Sequence, residues 1–254
     1  MAVGQFGKYM NIAEAGIIIQ ARMDSVRLPG KVLMKLGNST VFEILIKRLK
    51  KAGLPIVLAT SKLASNNKLI FAAEQLKISC FRGSEENVLS RYYEAAKMYN
   101  LKIIVRVTGD NPFTDGELLR YYVEEYIRLK NINLYISAGG PKKTFPTGIS
   151  FEIFSFEMLE AAYKNATDIK QQEHVTPYFY TNPDVYDVVY ITNESDKSAY
   201  RLTLDTEEDL VLIKTLVEKY NADNLNYKDI IEVLDRDQNL SVINKGIKQK
   251  KWNE

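Results

Sequence analysis

A chain of 254 residues can bury a full core and accommodates one large α/β domain or two small ones. Its 46% hydrophobic and 26% charged residues exclude a disordered or fibrous chain. With 34 lysines and arginines against 32 aspartates and glutamates, there is no electrostatic argument for a nucleic-acid partner.

In chain order, the β-branched run 16–21 predicts a first strand, followed at once by a basic loop over 22–31. Short apolar runs at 56–59, 78–81, 103–107 and 134–136 predict further strands. Between them 41–51, 67–77, 86–99 and 117–129 carry apolar residues three and four apart, as amphipathic helices do. This alternation predicts an α/β fold, a single Rossmann-like domain whose central sheet is largely parallel with helices on both faces. The second half is less regular. Strand-like 149–154, 185–191 and 199–204 and helical 157–164 and 171–180 predict a mixed extension of the sheet, and helices over 207–219 and 227–235 close the domain. One domain over 12–236 is expected, then a solvated polar tail, 237–254, containing Lys245, Lys248, Lys250 and Lys251. Cys80, the only cysteine, excludes an internal disulfide and a multi-cysteine metal site and is expected to be a buried strand residue. No run approaches the roughly 20 apolar residues of a membrane span and no secretory signal is evident, so the expectation is a cytoplasmic protein with no membrane partner.

The loop reads Gln20-Ala21-Arg22-Met23-Asp24-Ser25-Val26-Arg27-Leu28-Pro29-Gly30-Lys31-Val32. Three cations follow a central strand, where an open α/β sheet receives its ligands. Arg22 and Arg27 can grip phosphate oxygens bidentately, Lys31 supplies a point charge and backbone N–H groups complete a cradle, so a triphosphate fits. It is not a Walker loop, since Ser25 replaces the first glycine and Val32 the Ser/Thr after the lysine. The competing reading is a basic surface loop.

Asp110 and Asp205 each follow a predicted strand, and two carboxylates meeting triphosphate oxygens would make a Mg²⁺ site. The competing readings are a turn residue for Asp110 and a helix N-cap for Asp205. His174, the only histidine, reads equally as a structural residue.

At this loop the chain resembles the cytidylyltransferases that make CMP-activated sugars, such as the CMP-Kdo and CMP-sialic acid synthetases, most of all the branch named for the spore coat polysaccharide biosynthesis protein SpsF. Four further segments carry the resemblance in the family's order: Phe81-Arg82-Gly83-Ser84-Glu85-Glu86-Asn87-Val88-Leu89, Val107-Thr108-Gly109-Asp110-Asn111-Pro112, Glu173-His174-Val175-Thr176-Pro177 and Thr203-Leu204-Asp205-Thr206-Glu207-Glu208-Asp209. The resemblance implies that Arg22, Lys31, Asp110 and Asp205 are catalytic and that Asp110 and Asp205 hold Mg²⁺. It implies nucleotide contacts at Ala21, Arg22, Ser25, Arg27, Lys31, Thr60, Gly83, Ser84 and Thr108, and acceptor contacts at Glu152, Glu173 and His174. The implied reaction transfers CMP from CTP to a small acidic acceptor, a sugar acid, with release of pyrophosphate, in surface polysaccharide or glycan biosynthesis. The branch usually reads Phe-Pro-Asp-Gly-Leu-Asp-Val-Glu where this chain has Phe145-Pro146-Thr147-Gly148-Ile149-Ser150-Phe151-Glu152, two carboxylates fewer beside the acceptor, so the acceptor is left open. A homodimer is also left open, since the family favours dimers. The competing functions are a sugar-nucleotide-dependent glycosyltransferase, for which Asp235-Arg236-Asp237 has the metal-motif pattern, and a non-catalytic nucleotide-binding subunit of a polysaccharide assembly complex.

Overall fold

The computed structural model describes residues 10–249. Its strands and helices, in chain order, are β1 (Ala15–Gln20), β2 (Lys35–Leu36), β3 (Ser39–Thr40), α1 (Val41–Leu49), β4 (Ile56–Ser61), α2 (Asn67–Gln75), β5 (Ser79–Gly83), α3 (Val88–Met98), β6 (Ile103–Thr108), α4 (Gly116–Leu129), β7 (Leu134–Ser137), β8 (Glu152–Ser155), α5 (Phe156–Asn165), α6 (Ile169–His174), α7 (Pro177–Tyr180), β9 (Asp187–Tyr190), α8 (Glu207–Tyr220), α9 (Tyr227–Arg236) and α10 (Gln238–Val242).

Successive side chains of a strand point to opposite faces, so a run such as Ile17-Ile18-Ile19 needs a core on each side. The fold supplies both. Ile17 and Ile19 join one apolar cluster and Ile18 the other, all three fully buried. Each such side chain contributes about 1.5–3 kcal/mol relative to exposure. The main sheet has the order β5-β4-β1-β6-β8-β7-β9, and β2 and β3 form a separate hairpin. Pairings β4–β5, β1–β4, β1–β6 and β7–β9 are parallel, while β8 is antiparallel to β6 and β7. The predicted parallel half and mixed extension are both present.

Four local expectations are corrected. Cys80 is only partly buried, because β5 is an edge strand. The helix expected over 171–180 breaks into α6 and α7 at Val175, whose φ of 69° is left-handed, ahead of Pro177, which has no N–H for a helical ladder. The strand expected over 199–204 reduces to a single bridge, Thr147 with Arg201. The first part of the segment expected as a solvated tail instead packs on the domain, since α10 buries Leu240 and Asn244 is 3% exposed because its amide serves polar groups in the interior, while Lys245 and Lys248 are exposed. Lys250 and Lys251 lie outside the described residues. No described helix is long and apolar enough to cross a membrane.

Candidate active site

β1 and β6 pair in a register that sets Gln20 beside Thr108, so the loops leaving their carboxyl ends start side by side. The Gly109 N–H donates to the Gln20 carbonyl at 2.9 Å. A Cβ at Gly109 would come within 2.7 Å of the Ala21 Cβ, so the loops abut only because position 109 has no side chain. The first loop folds back on itself through the Gly30 N–H, which donates to the Met23 carbonyl at 2.8 Å, and Gly30 takes a left-handed φ of 72°. A single 3-10 turn, Lys31–Leu33, then carries the Lys31 side chain inward.

Asp205 arrives from the distant segment that was expected to be a strand. The Thr147 N–H donates to Tyr200 and the Leu202 N–H to Thr147, and then the Leu204 N–H donates to the Asp110 carbonyl at 2.8 Å. The last bond ties the two aspartates' backbones together. Thr206, rather than Asp205, is the N-cap of α8, in a reciprocal box with Asp209. The capping reading of Asp205 therefore falls.

Lys31 Nζ donates to Asp110 Oδ2 and to Asp205 Oδ1, both at 2.7 Å. Asp205 Oδ2 accepts from Arg201 Nη2 at 3.0 Å and pairs with Arg27 at 3.1 Å. Arg22 pairs with Glu85 at 2.6 Å. Burial alone would lower the Lys31 pKa, but the charges of Asp110 and Asp205 outweigh it and raise it above the ordinary lysine value. Burial would likewise raise the Asp205 pKa, and Lys31, Arg27 and Arg201 together hold it below the ordinary carboxylate value. Two carboxylate oxygens facing one cation are the donor set Mg²⁺ accepts from a protein when phosphates and water complete its shell. Among the described residues no group of three or more His, Cys, Asp or Glu side chains that could hold a metal ion is present.

Apart from Arg201, these groups line a cavity of about 1030 Å³. Of the residues singled out from sequence, it brings together Ala21, Arg22, Ser25, Arg27, Lys31, Thr108, Asp110, Glu173, His174 and Asp205. Thr60, Gly83, Ser84 and Glu152 are not in its wall. Thr60 is fully buried on β4, a Cβ at Gly83 would strike Arg91 at 2.7 Å, and the exposed Ser84 hydroxyl accepts from the Asn87 N–H. Glu152 is consumed by Arg106, Tyr135 and Thr176, so it reaches the cavity only through Arg106, which does line it. His174 sits half-buried in the wall, and burial lowers its pKa below the ordinary histidine value. Asp235 and Asp237 bond to Lys197, Tyr200 and Tyr220 and are absent from the wall, which removes the support for a glycosyltransferase metal motif.

Sequence reasoning missed Arg91, Arg106 and Gln249. Arg91 is 3% exposed, and its Nε and Nη1 have no hydrogen-bond partner among the described residues. Buried polar atoms are normally satisfied, so this wall is built for polar company. Arg91 and Arg106 lie within a regular helix and a regular strand, where periodicity marks them only as element residues.

Residues 16–241 match the profile of a protein family described as cytidylyltransferase. The chain is 41% identical over 241 residues to an uncharacterized protein of Methanocaldococcus jannaschii, covering 93% of this chain and 97% of that one. It is 34% identical over 229 residues to the spore coat polysaccharide biosynthesis protein SpsF of Bacillus subtilis, covering 86% and 93%. Among solved structures it resembles a cytidylyltransferase from Leptospira borgpetersenii, with a TM-score of 0.87, 32% identity and coverage of 94% and 99%.

Proposed function

Because this chain belongs to the cytidylyltransferase family, we propose that it transfers CMP from CTP to a hydroxyl of a small acidic acceptor, a sugar acid, in the making of a surface polysaccharide or glycan. The observation that carries this reading is the meeting of Asp110, Asp205 and Lys31, with Arg22 and Arg27 beside them, at the carboxyl ends of adjacent strands.

Arg22, Arg27 and Lys31 are each paired with a carboxylate. A triphosphate offers the same cations a denser negative charge, so its binding exchanges partners: the cations turn to phosphate, and Asp110 and Asp205 are released as oxygen donors. Mg²⁺ held by those two aspartates would supply neutralisation of charge on the triphosphate. The acceptor hydroxyl oxygen attacks the α-phosphorus and gives up its proton to solvent, the bond to the leaving pyrophosphate breaks, and Arg22 and Lys31 stabilise the charge that collects on pyrophosphate. No covalent enzyme intermediate is required, and positioning of the two substrates accounts for much of the acceleration. In this reading Ala21, Ser25 and Thr108 contact the nucleotide and Glu173 and His174 the acceptor, a reading supported by the presence of all five in the cavity wall.

Incubation with CTP, Mg²⁺ and a panel of sugar acids should release pyrophosphate with at least one of them. No release beyond the enzyme-free rate across the panel, from protein that binds CTP, would reject the sugar-acid acceptor.

A further inference from the structure

Asp205 is held from behind by groups that belong to no part of the loop described above. Arg201 Nη2 donates to Asp205 Oδ2, and the same guanidinium grips Asp209 through Nε at 2.8 Å and Nη2 at 3.0 Å. Asp209 is fully buried and also accepts the Asp205 and Thr206 N–H groups at 2.9 and 3.1 Å, so it fixes both the backbone and the side chain of the turn that presents Asp205.

The far side of this assembly is built by the C-terminal segment. Asn244 Nδ2 donates to the Arg201 carbonyl at 3.0 Å and to Asp209 Oδ1 at 2.8 Å. Gln249 Oε1 accepts from Arg201 Nη1 at 2.5 Å, and Gln249 is part of the cavity wall. A guanidinium only donates, so the carboxamide must turn its oxygen to Arg201, which leaves the Nε2 hydrogens for other partners. Both residues lie beyond residue 241, where the match to the family profile ends.

We propose that Asn244 and Gln249 are positioning residues that hold Asp205, through Arg201 and Asp209, in the orientation needed to ligate the metal of a bound metal–nucleotide complex. The inference rests on the cytidylyltransferase reading of the site. Groups that hold a ligating carboxylate from behind set its direction, and their loss typically weakens metal binding about 10-fold to 100-fold. Affinity of the phosphate cations for nucleotide without metal depends on Arg22, Arg27 and Lys31 and should be spared.

The test is CTP binding by calorimetry, with Mn²⁺ and with EDTA, for the native protein, Asn244→Ala and Gln249→Ala. Gln249 is exposed, so its variant keeps the fold even if Asn244→Ala does not. The expected result for both variants is Mn²⁺-dependent CTP affinity lower by about tenfold, with the affinity in EDTA changed less than about twofold. Equal loss under both conditions, or no loss in either for Gln249→Ala, would overturn the proposal. Native protein that binds no CTP with Mn²⁺ would instead bring down the proposed function, and this inference with it.

Discussion

Lys31 can be buried because its ammonium rests between two carboxylates, and removing it has two separable consequences. Lys31→Ala should lower CTP affinity by at least about tenfold, ~1.4 kcal/mol, through loss of a phosphate contact. It should also leave Asp110 without its ammonium partner and Asp205 with only Arg27 and Arg201 beside it, costing about 1–3 kcal/mol in EDTA. Added Mg²⁺ should then raise the melting temperature of the variant more than that of the native protein. Identical Mg²⁺ responses would mean that the two carboxylates do not share a cation site. If they do share one, Asp110→Asn and Asp205→Asn should each remove most activity, and the double variant should be little worse than either, because residues acting through one ion fail as a unit. Loss of a helix cap cannot imitate this, since Thr206 does the capping. Asp110 and the loop cations were legible in sequence because each follows an apolar strand and strand ends are where ligands bind, whereas Asp205 follows a segment of strand composition that forms only a single bridge. Thr60, Gly83 and Ser84 were placed by family likeness alone; they lie outside the cavity wall, Gly83 against Arg91 and Ser84 in a local turn with Asn87.

Among the elements, the regular β-α alternation was readable because each strand and helix buries its own periodic face, whereas the segments that carry His174 and Asp205 are held by tertiary contacts. The segment 200–204 has a strand's composition, yet after one bridge it must turn to bring Asp205 to Asp110. Gly148 lets it do so. At φ 102° a Cβ there would lie 2.5 Å from the Leu202 carbonyl carbon. Gly148→Ala should therefore cost about 1–3 kcal/mol, read as a lower urea midpoint, and should displace Asp205 enough to weaken Mg²⁺-dependent CTP binding. Full stability in that variant would show that the turn tolerates a side chain. The α6–α7 break places His174 in the wall with a lowered pKa. Between that folded value and the unfolded one near 6.5, the unfolded chain binds the extra proton, so stability should rise with pH through this window. His174→Gln should flatten that rise in urea titrations below pH 6.5, and an unchanged slope would assign it to other groups.

Across the whole molecule, the cavity wall draws on residues from Gln20 to Gln249, so a ligand that fills it ties early and late parts of the chain together. The relevant observable is then global unfolding rather than the motion of one loop. A ligand bound only by the native state stabilises it by mass action, about 2.7 kcal/mol at a hundred times its dissociation constant. For a domain of this size that corresponds to about 5–10 °C in melting temperature. The charged end of the cavity cannot distinguish nucleotides, because every triphosphate presents the same oxygens to Arg22, Arg27 and Lys31. Selectivity has to come from the base, and family membership specifies cytosine. With Mg²⁺ and equal concentrations, CTP should thus raise the melting temperature more than ATP, GTP or UTP, and the difference should persist in Lys31→Ala even as all four shifts shrink. Equal shifts for the four nucleotides in the native protein would confine recognition to the phosphates and remove CTP from its privileged place.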